Sequence, residues 1–222
     1  MNLAKYFILF LIYSFIGWIM EVIYTYFTDG KLVNRGFLIG PYCPIYGCGC
    51  ILMILLLKNY TSNPVVLFIM AVVICSILEY VTSYLMEKLF NARWWDYSNR
   101  KFNINGRICL ETMVPFGILG CFLMYFLNPF ISGIVNEVPD NIIIAISIVL
   151  AILFIIDIIT SYSIISKIKV SSRKILKDNT EEITKKVRKY ISNYSKLGKR
   201  LIESFPDLKI LKKRKNNTQD LK

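Results

Sequence analysis

The stretch PVVLFIMAVVICSILEYVTSYLM, residues 64–86, decides the class of this protein. A helix needs about 20 apolar residues to cross the hydrocarbon core of a bilayer, and this run exceeds that length with a single charge, Glu79. Backbone groups in lipid have no water to bond, so a spanning segment must satisfy them internally. The run lacks the apolar/polar alternation of a barrel strand, which leaves the helix. Four other runs have the same character, at residues 6–27, 36–57, 108–133 and 141–166. The expected fold is therefore all-α, a polytopic membrane bundle of five transmembrane helices. The first run is too long for a signal-peptide core and lacks a small-residue cleavage pattern, so it reads as a retained span. Composition agrees, with 55% hydrophobic residues and a mean hydropathy of +0.50 against the ~45–50% apolar usage of soluble domains.

Charge divides the chain in two. Residues 1–166, the bundle, hold nine Lys/Arg and nine Asp/Glu, whereas residues 167–222 hold eighteen and six and carry the entire net +12. Basic residues collect in cytoplasmic loops. With the N-terminus outside, Lys5 and Lys58 face out, while Lys31, Arg35, Lys88, Arg93, Arg100, Lys101 and Arg107 face the cytoplasm with the tail. The expected topology is N-out/C-in. All six cysteines fall within or at the edges of the spans and read as small packing residues, and there is no histidine. No metal and no cofactor is expected.

Sliding the sequence by 71 positions lays Asn34 on Asn105, Pro44 on Pro115, Gly49 on Gly120, Cys50 on Cys121, Leu52 on Leu123 and Met53 on Met124. Glu21 before Tyr26 likewise echoes Glu79 before Tyr84. This pattern predicts two helix hairpins of the same orientation, related by an axis along the membrane normal, with the fifth helix outside the repeat. In each hairpin the returning helix carries proline, Pro41 and Pro44 in one and Pro115 in the other. Broken helices at matched positions point to a site, and ordinary proline kinks are the alternative.

A carboxylate inside a span costs at least ~2.5–3.5 kcal/mol on insertion scales, yet Glu21, Glu79, Glu111 and Asp157 lie at such depths. Arg107 and Glu111 are four apart and are expected to pair along one helix face. Ser76, Glu79, Ser83 and Glu87 form a polar stripe, and Asp157, Thr160 and Ser161 form another. These residues predict a polar substrate pocket at the inner leaflet, formed by Glu21, Glu79, Glu111, Arg107, Asn105, Asn34 and Arg35. A buried ion-pair network that holds helices together is the competing reading.

The segment NARWWDYSNRKFNINGR, residues 91–107, interrupts the apolar pattern. Trp94, Trp95 and Tyr97 suit the headgroup layer as anchors, and Asp96 needs a partner that Arg93 or Arg107 could supply. In the tail, Ile183, Val187, Tyr190, Tyr194, Leu197, Leu201 and Phe205 recur at helical spacing and predict an amphipathic helix over about residues 181–205. Its lysine-rich face suits the anionic inner leaflet, with docking on a protein partner as the alternative. No nucleic-acid partner is expected.

The combination NRGFLIGPYCPIYGCG (residues 34–49), the helix bearing Glu79, Tyr80, Ser83, Tyr84 and Glu87, the WWDYS run from Trp94 and the NINGRICLE run from Asn103 resembles the bacterial membrane family labelled type IV ABC-transporter, or CmpB-like permease. The resemblance covers about residues 5–165 and implies a permease subunit in the bacterial cytoplasmic membrane that needs a separate ATPase. The chain has no GxxxxGK[ST] phosphate loop of its own. On this reading Arg93, Trp94, Trp95, Asp96, Tyr97 and Arg100 form the docking loop for the ATPase, and the acidic pocket receives a small polar or cationic solute. Two other classes compete, a lipid-headgroup or lipid-phosphate enzyme in which arginines bind phosphate and an acid serves as base, and a non-catalytic scaffold or sensor. Five helices are few for a solute path, so a homodimer is expected.

The charge asymmetry makes a direct prediction. A protease-sensitive tag fused after Lys222 should be cut only after the cells are permeabilised, and cleavage in intact cells would reverse the topology.

Overall fold

The computed structural model describes residues 2–174, 199–200, 203–205 and 208–210. Within them the chain forms five helices: α1 (Leu3–Asp29), α2 (Pro44–Leu57), α3 (Pro64–Phe90), α4 (Leu110–Glu137) and α5 (Asp140–Lys174). Strand pairing among the described residues comprises a two-residue antiparallel contact between β1 (Ala92–Arg93) and β2 (Lys209–Ile210) and an isolated antiparallel bridge between Ile104 and Ile108.

Local chemistry sets the helix ends. Asn63 precedes α3 and its side chain accepts from Val65 N and Val66 N at 3.1 and 3.2 Å. Pro64 then opens the helix where a missing N–H costs nothing. At the other end Asn91 turns left-handed at φ 52° and donates its N–H to Glu87 O at 2.9 Å. In α1 the same devices recur, with Asn2 accepting from Lys5 N at 2.9 Å and Gly30 closing the helix at φ 67°.

Four helices, α1, α3, α4 and α5, are long and apolar enough to cross a membrane, and α2 is shorter. The second predicted span, residues 36–57, is thus corrected: its helix begins at Pro44, and residues 36–43 are irregular. Proline disfavours helical backbone in the residue before it, so Pro41 and Pro44 together exclude helix until Pro44 itself, which fits the first position. Pro44 is therefore a helix start, Pro41 lies exposed in the irregular segment, and of these three prolines Pro115 alone lies within a helix. Beyond it α4 contains one π turn, Leu123–Leu127, and continues to Glu137.

Each long helix has two faces. On α3 the exposed residues Val65, Ile69, Val73, Ile77, Val81, Leu85 and Leu89 recur every four positions. A stripe of that length on a water-facing surface would be anomalous; facing lipid it is required. The opposite face buries Leu67, Ala71, Ser76, Glu79 and Ser83. Leu67 and Ala71 meet Leu9, Tyr13, Met53, Leu57, Leu123 and Met124 in the core. Helices approach closely at glycine: a Cβ on Gly47 would collide with the Phe10 carbonyl oxygen and the Ser14 hydroxyl of α1, and one on Gly117 with the Phe68 ring. At one end of the bundle Lys5 Nζ meets Asp140 Oδ1 at 2.9 Å. The irregular segment and the 91–109 loop gather at the other end.

Most of the amphipathic helix predicted for residues 181–205 lies outside the described residues. Its described end docks on the bundle. Phe205, a residue of the apolar stripe, packs edge-on against Trp94 with centroids 4.9 Å apart, and Ser204 and Leu208 are buried.

The Gly47 approach is against backbone, which cannot swing aside. Gly47→Val should therefore lower stability by about 1–3 kcal/mol through overpacking, read as a reduced thermal midpoint in detergent, whereas Gly133→Ala, where an added Cβ meets nothing, should leave the midpoint near that of the parent.

Candidate functional site

Residues 34–43 leave helical geometry inside a bundle where backbone groups need protein partners. Asp157 of α5 supplies them. Its Oδ1 accepts from Ile39 N at 2.9 Å, and its Oδ2 accepts from Gly40 N at 2.7 Å and from the Tyr42 hydroxyl at 2.5 Å. Ser161 Oγ, one turn on in α5, donates to Oδ1 at 2.9 Å. The carbonyls of the same segment are taken by the tail, where Arg200 Nη1 donates to Leu38 O at 2.8 Å and Nη2 to Gly36 O at 3.3 Å. Arg35 Nη1 returns a bond to Ser204 O at 2.7 Å, and the Ser204 hydroxyl donates to Asn34 O. The Asn34 side chain closes the turn, accepting from Trp18 Nε1 at 2.7 Å and Gly36 N at 3.1 Å and donating to Ile39 O at 3.2 Å.

Held this way, α2 starts beside the middle of α1, with Cys43 N donating to Ser14 O at 2.9 Å. That places the Tyr46 hydroxyl on Glu21 Oε1 at 2.5 Å, while Arg35 Nε approaches Glu21 Oε2 at 3.6 Å. A second carboxylate is held in a similar way. The Tyr97 hydroxyl, from the 91–109 loop, donates to Glu79 Oε1 at 3.3 Å. Burial, reinforced by the Glu79 carboxylate, pushes the Tyr97 phenol above its ordinary range, so it remains a donor. Glu79 Oε2 is buried with no hydrogen-bond partner, and so is Ser76 Oγ one turn away. Thr112 Oγ1 donates to Cys109 O at 2.9 Å and accepts from Cys109 N at 3.4 Å.

Of the residues expected to form the pocket, Glu21, Glu79, Asn34 and Arg35 lie around this cluster. Glu111 does not. It is 59% exposed and pairs with Arg100 at 3.2 Å. Arg107 does not pair with it either, because α4 starts at Leu110 and Arg107 precedes the helix. Instead Arg107 is buried against α3, with Nη2 on Glu87 Oε2 at 2.9 Å, Nη1 on Ser83 Oγ at 3.1 Å and its guanidinium over the Tyr80 and Tyr84 rings at 5.7 and 5.5 Å. Asn105, left-handed at φ 53°, donates to the Tyr80 hydroxyl at 2.8 Å on an exposed edge.

Most of the expected docking residues face inward. Trp94 is buried among Phe37, Phe90 and Phe205 rather than standing as an exposed anchor. Trp95 Nε1 donates to Arg107 O at 3.1 Å. Arg93 bridges Glu87 at 3.2 Å and Asp96 at 3.4 Å, so Arg93 is a partner of Asp96, which also accepts from Ser98 N at 3.1 Å. The exposed part of the loop is its tip, where Arg100 is joined by Phe102, 78% exposed, and Ile104.

Sequence reasoning named Asp157 as a misplaced charge without giving it a role, and it placed Tyr46, Glu87 and Arg200 nowhere in the site. For Asp157 the signal was present, an acid in a span followed by serine four residues on. Tyr46 and Arg200 carried no local signal, since their partners lie 25 and more than 160 residues away.

Four long apolar helices with lipid-facing stripes, enclosing a buried polar cluster at one end, define a multi-pass α-helical membrane protein. The chain belongs to the family described as "Putative ABC-transporter type IV", whose model matches residues 8–162, the bundle without the tail. No curated protein and no solved structure matches the chain at a significant level.

Asp157 should be the most sensitive carboxylate for structure. Asp157→Ala removes an acceptor of four bonds, each to a charged group worth about 1.5–3 kcal/mol, and should expose residues 36–43 to limited proteolysis at concentrations of protease that leave the parent intact. Glu111→Ala should change nothing measurable in that assay, as expected for an exposed pair.

Proposed function

We propose that this chain is the membrane-spanning permease subunit of an ABC-type transporter in the bacterial cytoplasmic membrane, moving a small polar or cationic solute with energy from an ATPase on another chain. The observation that carries the reading is a pair of intramembrane carboxylates, Glu21 and Glu79, that come from different long helices and are each held by a tyrosine hydroxyl. Intramembrane carboxylates mark solute and ion paths in membrane proteins, and the family supports transport. The N-out/C-in orientation puts this end of the bundle at the inner leaflet, with the basic tail beside anionic lipid. α2 and the irregular segment before it then make the fifth crossing, and a homodimer would enlarge the path.

The ATPase would dock at the loop tip, where Arg100, Phe102 and Ile104 offer one charge and two apolar side chains to the cytoplasm. A lipid-phosphate enzyme would need arginines free for phosphate. Here Arg35, Arg93 and Arg107 are committed to Glu21, Glu87 and Asp96.

Purification of tagged protein at native expression in mild detergent, followed by mass spectrometry, tests the reading. An ATPase should accompany the parent in stoichiometric amount and be lost with Phe102→Ala combined with Arg100→Glu, two exposed positions whose change leaves the bundle folded. Reproducible purification of the chain without any ATPase would overturn it.

A further inference from the structure

Glu79 differs from the other carboxylates at its end of the bundle. Arg35 pairs with Glu21, Arg93 with Glu87 and Asp96, Arg107 with Glu87 and Arg100 with Glu111. Glu79 has no basic partner among the described residues, although it is only 8% exposed. Its Oε1 accepts from the Tyr97 hydroxyl, and its Oε2 has no partner. Ser76, three residues earlier on the same face of α3 and 5% exposed, also has no partner for its hydroxyl. Buried polar oxygens are rarely left unbonded, and a buried charge without a counter-charge is costlier still. Two such atoms one helical turn apart describe a site for a donor that the chain does not itself provide.

The donor's chemistry follows from the acceptors. Its charge is positive, to balance Glu79. Calcium takes six to eight oxygens and magnesium a near-octahedral six, far more than one carboxylate and one hydroxyl offer. No group of three His, Cys, Asp or Glu is placed to hold a metal among the described residues. Two unbonded acceptors, Glu79 Oε2 and Ser76 Oγ, with one negative charge between them, match the N–H donors and single charge of a primary ammonium.

We infer that Glu79 and Ser76 bind a primary ammonium group, carried by a small amine or by an aminolipid headgroup. The inference rests on the permease reading for its purpose, since the amine would be the solute's handle, but it is tested independently of the ATPase.

The test uses the full chain in a detergent free of aminolipid, with thermal unfolding followed at equal ionic strength in the chlorides of methylammonium, sodium and tetramethylammonium. Methylammonium should raise the midpoint in a saturable way. Sodium and tetramethylammonium should not, the latter because it has the charge but no N–H. Ser76→Ala, a small change in a helix, should require roughly tenfold more methylammonium for the same shift, the cost of one bond to a charged group, and Glu79→Gln should abolish the shift. Mixed micelles of phosphatidylethanolamine against phosphatidylcholine identify the source: stabilisation by phosphatidylethanolamine alongside methylammonium assigns the site to a headgroup, and stabilisation by methylammonium alone assigns it to a small amine. Equal shifts with all three salts, no shift with any of them, or a methylammonium shift unchanged in Ser76→Ala would overturn the inference. Copurification of an ATPase with a protein that ignores methylammonium would sink the ammonium site and leave the permease reading intact. A methylammonium shift in a protein that never brings down an ATPase would do the reverse.

Discussion

Backbone that leaves the helix inside an apolar bundle must be bonded by protein, and Asp157 meets that demand for the N–H groups of Ile39 and Gly40 while also accepting from the Tyr42 hydroxyl. Taking a carboxylate out of water costs several kcal/mol, while bonds to a charged acceptor return about 1.5–3 kcal/mol each. Beyond stability, Asp157 contributes placement. It fixes where α2 begins, and that start determines that Tyr46 reaches Glu21 and that Gly47 lies against the Phe10 carbonyl. Arg200 secures the carbonyls of the same segment from the other side, so an acid from one helix and a base from the tail hold the two polar faces of one stretch of backbone.

The ion pairs at the loop end form a gradient of commitment. Arg100 and Glu111 are both more than half exposed, and such pairs contribute at most about 1 kcal/mol. Arg107 is nearly enclosed, with bonds to Glu87 and Ser83 and two aromatic rings beneath it. Losing one partner of a buried pair costs about 3–5 kcal/mol. The loop from Asn91 to Cys109 is thus rigid where it touches α3 and open at its tip, which suits a segment that positions Tyr97 on one side and presents Phe102 on the other.

The long apolar runs were legible because lipid imposes a length and an apolar composition on each helix independently. Helices α1, α3 and α5 cover the apolar runs at residues 6–27, 64–86 and 141–166 and extend beyond them at one or both ends. The second span was misread because hydropathy alone extends it back to Gly36, whereas Pro41 and Pro44 bar the helix there. Arg107 with Glu111 was misread for a related reason: a spacing of four has meaning only inside a helix, and the helix begins between them. Glu79 was legible as a buried charge. Its unbonded oxygen was not, since that depends on where every neighbouring arginine goes. Trp94 was assigned to the membrane interface by its type, and only the fold reveals that Phe37, Phe90 and Phe205 enclose it.

The π turn at Leu123–Leu127 has a bearing on how α4 tolerates change in chain length. Such a turn holds one residue more than the α-helix around it, and each residue advances a helix by about 100°. By absorbing that residue with little net rotation, the π turn keeps Asn128 aimed at the Tyr13 hydroxyl, 3.0 Å away and buried in the core. Winding the same five residues as regular α-helix would rotate everything from Asn128 to Glu137 by about 100°, sending Phe130 and Ile134 inward and Ile131 and Val135 away from the core, whereas deleting one of the five would restore regular α geometry and leave both faces in place. In this helix the irregular turn sets the phase between two apolar faces, and a more regular helix of the same residues would fit the bundle worse.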